Sequence, residues 1–273
     1  MIGTRDSHAF AADNRAVSAV IGFILVFGIL MLLLTVYQAQ IVPQQNAQTE
    51  FTHFEQTSDE LVDVRNAISR TGQAGDPQFP SVTLGTTYQS RTLTINPAPA
   101  AGTLQTSEEE ITIHNESTIR NESKHPKTVP TRFIEYQPGY NELDVGSTWY
   151  ENSVLYVDTP EGDNTILEDQ HMVTDGTELN ITAIESDFQE TGTSRTTIEM
   201  KRNQSEVDLP DPEGGNLTVE IPTRLDEDYW DPLDEELDDD PIVYEGVDEE
   251  DGILTLNVTS DGAVGVNSIK LDS

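Results

Sequence analysis

The feature that most constrains this chain is an uncharged stretch near its start, from Ala16 to Thr49. Within it, the run AVSAVIGFILVFGILMLLLTV covers Ala16–Val36 and lacks the polar face of a soluble amphipathic helix. About 20 apolar residues are needed to cross a bilayer as a helix, whereas a signal peptide has an apolar core of about 7 to 15. The run therefore predicts a retained membrane-spanning helix, with the lipid bilayer as a partner.

The charges on either side of this run predict its orientation. Arg5 and Arg15 precede the run, and the next lysine or arginine after it is Arg65, with Glu50 and Glu55 coming first. Basic flanks stay in the cytoplasm. We therefore expect a cell-membrane protein with a cytoplasmic N-terminus and with the bulk of the chain extracellular.

The composition of the chain is strongly acidic, with 50 Asp and Glu against 14 Lys and Arg and a formal net charge of −36. This balance excludes a nucleic-acid partner, because phosphate binding needs concentrated lysine and arginine. Acid spread along the whole chain is typical of halophilic proteins, since concentrated salt screens repulsion between carboxylates. An acidic disordered tail is the alternative. The lack of cysteine excludes disulfides and thiolate catalysis.

The segment DNRAVSAVIG, Asp13–Gly22, resembles the N-terminus of archaeal type IV pilin precursors. In that family a short polar leader ends in a basic and a small residue, where a prepilin peptidase cuts. The resemblance implies that Arg15 and Ala16 form the recognition pair and that Val17 becomes the new N-terminus. It also implies two further partners, the peptidase and other pilin subunits. The family has proline where this chain has Ala19.

The segment that follows the run is polar but patterned, which predicts a second, amphipathic helix. We expect Pro43 to bend or stop the first helix and Arg70-Thr71-Gly72 to end the second. An extended stalk is the alternative. Its apolar positions fall near a spacing of three to four residues: Phe51, Phe54, Leu61, Val64 and Ile68.

From residue 73 onward, the chain contains short segments in which apolar and polar residues alternate with a period of two. This alternation is the pattern of β-strands. Leu93–Ile95 is one such segment. Leu254–Val258 and Ala263–Leu271 flank Ser260-Asp261-Gly262, which predicts a hairpin. The predicted fold class is α+β, an N-terminal transmembrane or long helix followed by a mainly antiparallel β-sandwich-like ectodomain.

These patterns divide the chain into four parts. We expect a cytoplasmic leader at 1–16, a transmembrane helix at 17–42, an amphipathic helix or stalk at 43–72, and an acidic β-rich extracellular domain at 73–273. That domain has one or two subdomains. Its densest acidic stretch, Asp226–Asp251, predicts a solvated loop pinned by Tyr229, Trp230 and Leu233.

Motifs for catalysis are missing from the sequence: it contains no G-x-S-x-G, Walker A, H-E-x-x-H or G-x-G-x-x-G pattern. Carboxylates are so numerous that no single pair stands out as an acid–base couple. We therefore expect no enzyme, no catalytic residues, no cofactor and no metal site.

Six N-x-S/T sequons lie on the predicted outside of the membrane and make the protein a candidate glycoprotein. Two of them share a predicted exposed loop and are the best candidates, whereas Asn216 and Asn257 fall inside predicted strands. The six asparagines are Asn115, Asn121, Asn180, Asn203, Asn216 and Asn257. The two in the loop are Asn115 and Asn121.

Two functions remain open from the sequence, with a secreted hydrolase as a weaker third. The first is a pilin-like cell-surface protein of a halophilic archaeon, anchored or assembled into surface filaments through its apolar helix, with a structural or adhesive role. The alternative is an uncleaved single-pass membrane protein whose extracellular domain binds a partner. The fate of residues 1–16 distinguishes the two.

Overall fold

The structure, a computed structural model, describes residues 13–93, 95–115, 126–160, 162–203, 209, 216–237 and 240–272. It begins with helix α1 (Asp13–Val36), a π-helical turn (Tyr37–Ile41) and helix α2 (Val42–Ala74). A largely antiparallel β-domain follows. The α+β fold class predicted from the sequence, a long apolar helix ahead of a β-domain, is confirmed.

The described residues after α2 form fifteen strands and two short helices. The strands are β1 (Ser81–Thr83), β2 (Gly102–Asn115), β3 (Lys127–Gln137), β4 (Ser147–Glu151), β5 (Val154–Asp158), β6 (Asn164–Glu168), β7 (Val173–Thr174), β8 (Glu178–Ile184), β9 (Gln189–Gly192), β10 (Arg195–Thr197), β11 (Glu199–Arg202), β12 (Leu217–Pro222), β13 (Ile242–Asp248), β14 (Ile253–Val258) and β15 (Ala263–Asp272). The helices are α3 (Glu227–Trp230) and α4 (Pro232–Glu236).

The described residues form two compact units. One unit holds the described residues up to Thr49 together with the loop Tyr88–Pro97. The other holds Glu50–Thr87 and the chain from Ala98 onward. The boundary falls inside α2, so the second part of that helix belongs to the β-domain rather than to a separate stalk.

Helical structure continues past Pro43, which was expected to bend or stop it. The N–H of Val42 donates to the carbonyl of Tyr37, five residues back, in the π-helical turn. Such a turn relaxes the usual four-residue hydrogen-bond pattern immediately before Pro43, whose ring would clash with a carbonyl four residues back and which has no N–H to donate. The proline is thus accommodated without ending the helix.

Helix α2 also runs past Gly72, which was expected to end it. The helix ends at Ala74, and Gly75 has a φ of +80°, the left-handed conformation that glycine adopts after many helices. Gly72 has a different role. A Cβ at this position would lie 2.3 Å from Oγ1 of Thr182 in β8, so only glycine allows this close approach of α2 to the strand.

The largest sheet has nine strands, in the order β13-β14-β12-β2-β3-β4-β5-β6, with β9 paired to the first residues of β2. Its pairs are all antiparallel. The long strand β2 joins the two halves, pairing with β12 through Ile113 and with β3 along most of its length. Alternate residues of these strands face opposite sides of the sheet.

The second sheet has four strands in the order β11-β15-β8-β7, and its β15–β8 pair is parallel. The hairpin predicted around Ser260-Asp261-Gly262 is therefore wrong. Both edges of β14 are occupied by β12 and β13 in the nine-stranded sheet, so the turn carries the chain across to the other sheet. Strands β1 and β10 form a separate two-stranded sheet.

Two other local predictions also fail. Leu93 and Ile95 lie in the loop Tyr88–Pro97 outside any strand, and their side chains face solvent instead of a core. The acidic stretch expected to be a loop contains α3, α4 and β13. Trp230 and Leu233 are buried there, as anchors of this segment should be.

Two hydrophobic clusters fill the β-domain. The first lies between the nine-stranded and four-stranded sheets and includes Phe133, Ile181 and Trp230. The second joins α2 to residues of both sheets and includes Ile68, Tyr136 and Ile269. Ile68 is fully buried, which makes α2 part of the core that stabilises the domain.

Candidate functional site

The most prominent functional feature is the exposed surface of α1. Between Ser18 and Val36, no side chain is buried, and the large apolar side chains reach 71% exposure at Phe23. Soluble proteins rarely expose a contiguous apolar surface of this size. Within the described part of the chain, one helix is long and apolar enough to cross a membrane. The helix is compatible with a membrane anchor.

The residues of the predicted peptidase site lie at the start of this helix. The backbone of Arg15, Ala16 and Val17 belongs to α1, and their side chains lie outside the described part of the structure. Cleavage between Ala16 and Val17 stays a prediction.

The β-domain holds α2 through polar side chains that the sequence analysis missed. The side chain of Glu50 is fully buried, and its two carboxylate oxygens accept the backbone N–H groups of Asn141, Glu142 and Leu143 at 2.8, 3.0 and 2.8 Å. Hydrogen bonds to a charged acceptor are stronger than neutral ones. This carboxylate therefore fixes the loop between β3 and β4 against the helix.

Arg65 is a second anchor, one turn before Ile68. Its Nε donates to the carbonyl of Ser153 at 2.7 Å and its guanidinium also donates to the carbonyl of Asp169. The carboxylate of Glu168 lies 3.7 Å away and is 41% exposed, so it adds little. The guanidinium thus binds α2 to the segments after β4 and after β6.

Glu60 is a third anchor and connects α2 to β1. Its carboxylate accepts the N–H of Thr83 at 2.6 Å and lies 3.4 Å from the guanidinium of Arg195 in β10. Glu50, Glu60 and Arg65 thus place three charged contacts along the side of α2 that faces the sheets. Burial of ionic groups is favourable only when each is hydrogen-bonded, as these are.

These anchors were missed because the buried positions along one face of α2, its buried stripe, differ from the apolar positions predicted from the sequence. Phe51 and Phe54 were expected on this stripe, but Phe51 is 45% exposed. Glu50, His53 and Thr57 are buried instead. The stripe is therefore correct from Leu61 onward and shifted by one residue before it. The signal available in the sequence was the continued spacing of three to four residues through polar side chains.

A buried carboxylate lies elsewhere in the β-domain, at Glu151. It accepts hydrogen bonds from the hydroxyls of Thr223 at 2.6 Å and Tyr156 at 3.1 Å and from the N–H of Arg224. Burial raises the pKa of this carboxyl, and the hydrogen bonds oppose that effect. Trp230 in α3 also donates to Thr223, at 3.1 Å, so the network fixes α3 against the nine-stranded sheet.

One serine–histidine contact resembles the nucleophile–base pair of a hydrolase, but the described residues supply neither a group that orients the histidine nor a cavity for a substrate. Ser69 Oγ lies 2.6 Å from Nε2 of His171. Among the described residues, nothing hydrogen-bonds to the buried Nδ1 of His171, so no third group orients the ring. The adjacent cavity is about 10 Å³, too small for a substrate. Burial, and next the charge of Arg65, lower the pKa of His171.

No cluster of three or more metal-ligating side chains occurs in the described parts of the chain. Among the sequon asparagines, Asn115, Asn216 and Asn257 lie near one another, because Leu217 pairs with Asn115 and Thr218 pairs with Asn257. Asn121 lies outside the described residues, and Asn115 is the last residue of β2 and only 6% exposed rather than part of an exposed loop. Asn180 and Asn257 lie in β8 and β14, and Asn203 follows β11.

The position of Asn216 differs from its prediction and leaves its side chain more accessible than expected. It was expected inside a strand, but it immediately precedes β12 and is half-exposed. Asn203 and Asn257 are also half-exposed, and their amides donate to Glu185 at 2.7 Å and Glu245 at 3.4 Å.

Comparison with known proteins gives one archaeal likeness. A protein of Archaeoglobus fulgidus, described only as uncharacterized, is 28% identical over 145 residues. The match covers 52% of this chain but 25% of that relative, so the chain spans about a quarter of its length. No protein-family profile and no solved structure match the chain.

Proposed function

We propose that this protein is a pilin-like cell-surface protein of a halophilic archaeon, with a structural or adhesive role and no enzymatic activity. The observation that supports the proposal is the exposed apolar surface of helix α1, which precedes α2 and the β-domain in the chain. Residues 1–16 are a cytoplasmic leader, and the β-domain lies outside the cell.

Removal of the leader on the cytoplasmic side of the helix leaves the apolar helix on the mature protein. A signal peptide is cut beyond its apolar run and loses it, whereas a cut after Ala16 retains the whole run. The retained helix is stable in the bilayer, and it can later contact the same helix of other subunits in a filament. Relative to exposure in water, burial of each large apolar side chain is favourable by about 1.5 to 3 kcal/mol, so the helix stays in lipid or in a filament core.

The dense negative charge of the β-domain suits an extracellular surface in brine. With a net charge of −36, repulsion between carboxylates destabilises the compact state in dilute buffer. At molar salt the Debye length falls to about 3 Å, and the repulsion is screened. Glycans on exposed sequons would add hydrated bulk, and Asn216 is the best placed of the described ones, because it is half-exposed and precedes its strand.

The proposal is tested by the N-terminus of the protein isolated from an archaeal host that has a prepilin peptidase. Chymotryptic digestion and mass spectrometry should recover Val17–Phe23 as the first peptide. Arg15→Ala should retain the leader, because the basic residue of the recognition pair is lost. Arg5→Ala removes a leader charge away from the cut and should be processed normally. An intact peptide joining Arg15 to Val17 as the main wild-type form would exclude the pilin-like assignment.

One observation favours the alternative of an uncleaved membrane protein that binds a partner. A pocket of about 370 Å³ lies between α2 and the β5–β6 edge, lined by Phe54, Val157, Pro160 and Leu167. Apolar pockets of this size accept a small ligand or a single anchoring side chain. In this alternative the leader stays on the protein, and Leu167→Glu would abolish partner capture without altering the N-terminus.

A further inference from the structure

The loop Tyr88–Pro97 is attached to the helical segment that directly follows α1. The side-chain amide of Gln38 donates to the carbonyl of Ile95 at 2.9 Å, and its oxygen accepts the N–H of Ile95 at 3.1 Å. Arg91 donates to the side-chain oxygens of Gln45 at 2.8 Å and Asn46 at 3.2 Å. The loop is therefore held at two points along the helix.

This loop carries the most exposed large apolar side chains of the described chain. Leu93 is 78% exposed and Ile95 is 83% exposed, more than the 71% of Phe23 in α1. Two such side chains two residues apart on a hydrogen-bonded loop are costly in water, since burying each would contribute about 1.5 to 3 kcal/mol. Their alternation resembles a strand, yet no strand among the described residues pairs with Leu93 or Ile95.

The charge around the loop sets it apart from the rest of the protein. Residues 77–107 contain one charged residue, Arg91, and residues 16–49 contain none, in a chain with 50 carboxylates. Carboxylates are repelled by anionic lipid headgroups, whereas an arginine is attracted to them and can extend its guanidinium toward them. This unit of the protein is therefore electrostatically compatible with a lipid surface.

The position of Gln38 fixes the depth of the loop. At 1.5 Å per residue, about 20 residues of helix span the roughly 30 Å of hydrocarbon, so a span that ends at Val36 places Tyr37 and Gln38 in the headgroup region. Tyrosine is enriched at this depth. A loop whose backbone is hydrogen-bonded to Gln38 lies at the same level.

We propose that the loop Tyr88–Pro97 is a second membrane contact, which inserts Leu93 and Ile95 into the boundary between headgroups and acyl chains where the helix leaves the bilayer. The inference rests on membrane anchoring by α1. Interfacial elements bury their apolar side chains about 5 to 10 Å below the surface. The contact fixes the axial position of the helix while the protein is in the bilayer.

The test uses single cysteines in the full-length chain, which has none of its own. Leu93→Cys, Ile95→Cys and Phe27→Cys are each labelled with the fluorophore NBD and reconstituted in vesicles of three parts phosphatidylcholine to one part phosphatidylglycerol at molar KCl. We expect labels at 93 and 95 to be quenched by lipid carrying a doxyl group near the headgroup and to be protected from aqueous iodide. The label at 27 should respond to a doxyl group deep in the acyl chain.

A matched pair of variants links the result to the hydrogen bonds. Gln38→Ala removes both bonds to Ile95 and should increase iodide quenching of the label at 95. Gln40→Ala changes the same residue type at an exposed position of the π-helical turn and should leave the quenching unchanged. Equal behaviour of the two variants would contradict the role of Gln38.

The other outcomes are also decisive. If the label at 27 lies in lipid while those at 93 and 95 are quenched by iodide alone, the loop is not a membrane contact, although the anchor stands. If the label at 27 is also in water, membrane anchoring itself fails. Labels at 93 and 95 that are shielded from both quenchers, increasingly so at higher protein density, would show that a second copy of the chain covers the loop and would overturn the lipid contact.

Discussion

Replacement of Arg65 by methionine tests whether α2 is an integral part of the β-domain. Arg65 is 8% exposed, and its guanidinium donates to the carbonyls of Ser153 and Asp169. Methionine preserves most of the aliphatic packing but leaves both acceptors without this donor. Hydrogen bonds to a charged group contribute about 1.5 to 3 kcal/mol each, so we expect a loss of about 3 to 6 kcal/mol.

For a domain of this size, each kcal/mol shifts the Tm by about 2 to 4 °C, so the variant should unfold at least about 6 °C below wild type. Thermal unfolding would be followed through the near-UV circular dichroism of Trp149 and Trp230, in detergent at molar KCl. Arg70→Met is the matched control, because Arg70 is an exposed arginine of the same helix. If both variants unfold within about 1 °C of wild type, α2 is a separable stalk and the reasoning fails.

Three further predictions concern charged groups. Because burial raises the pKa of Glu151, its ionisation destabilises the folded state at neutral pH, and this effect disappears toward the ordinary pKa of 4.5. The free energy of unfolding of wild type relative to Glu151→Gln, from urea titrations, should rise as the pH falls from neutrality; a pH-independent difference would contradict this. Glu50→Ala should speed hydrogen exchange at Asn141–Leu143 and lower stability by about 2 kcal/mol, while exposed Glu55→Ala should change it by less than about 0.5. The full-length protein in detergent should lose the near-UV circular dichroism of Trp149 and Trp230 on dialysis into dilute buffer and regain it in molar salt; an unchanged spectrum would refute the halophile argument.

The features that could be predicted from the sequence are those that depend on a local pattern repeated over many residues. The apolar run of α1, the alternation in strands such as β12, and the absence of helices between most strands were sufficient for the fold class. The buried stripe of α2 was predicted only from Leu61 onward, because earlier buried positions are polar. Glu50 and His53 resemble surface residues until the loop and strands that contact them are known.

The remaining errors come from partners that are distant in sequence. Leu254–Val258 and Ala263–Leu271 have the pattern of a hairpin, but β14 already has two neighbours and β15 pairs with β8 and β11. Leu93–Ile95 has the alternation of a strand, yet its apolar side chains face outward. Alternation indicates which side chains lie on the same side of a strand. It does not indicate whether that side packs against a protein core.

The placement of β15 has a consequence for the order in which the protein folds. Residues 263–272 form an inner strand of the four-stranded sheet, between β8 and β11, and Ala263 pairs with Glu178. A chain that is synthesised from its N-terminus delivers these residues after all the strands they join. Until they are made, β8 and β11 each have an open edge, so closure of the four-stranded sheet must wait for residues 263–272.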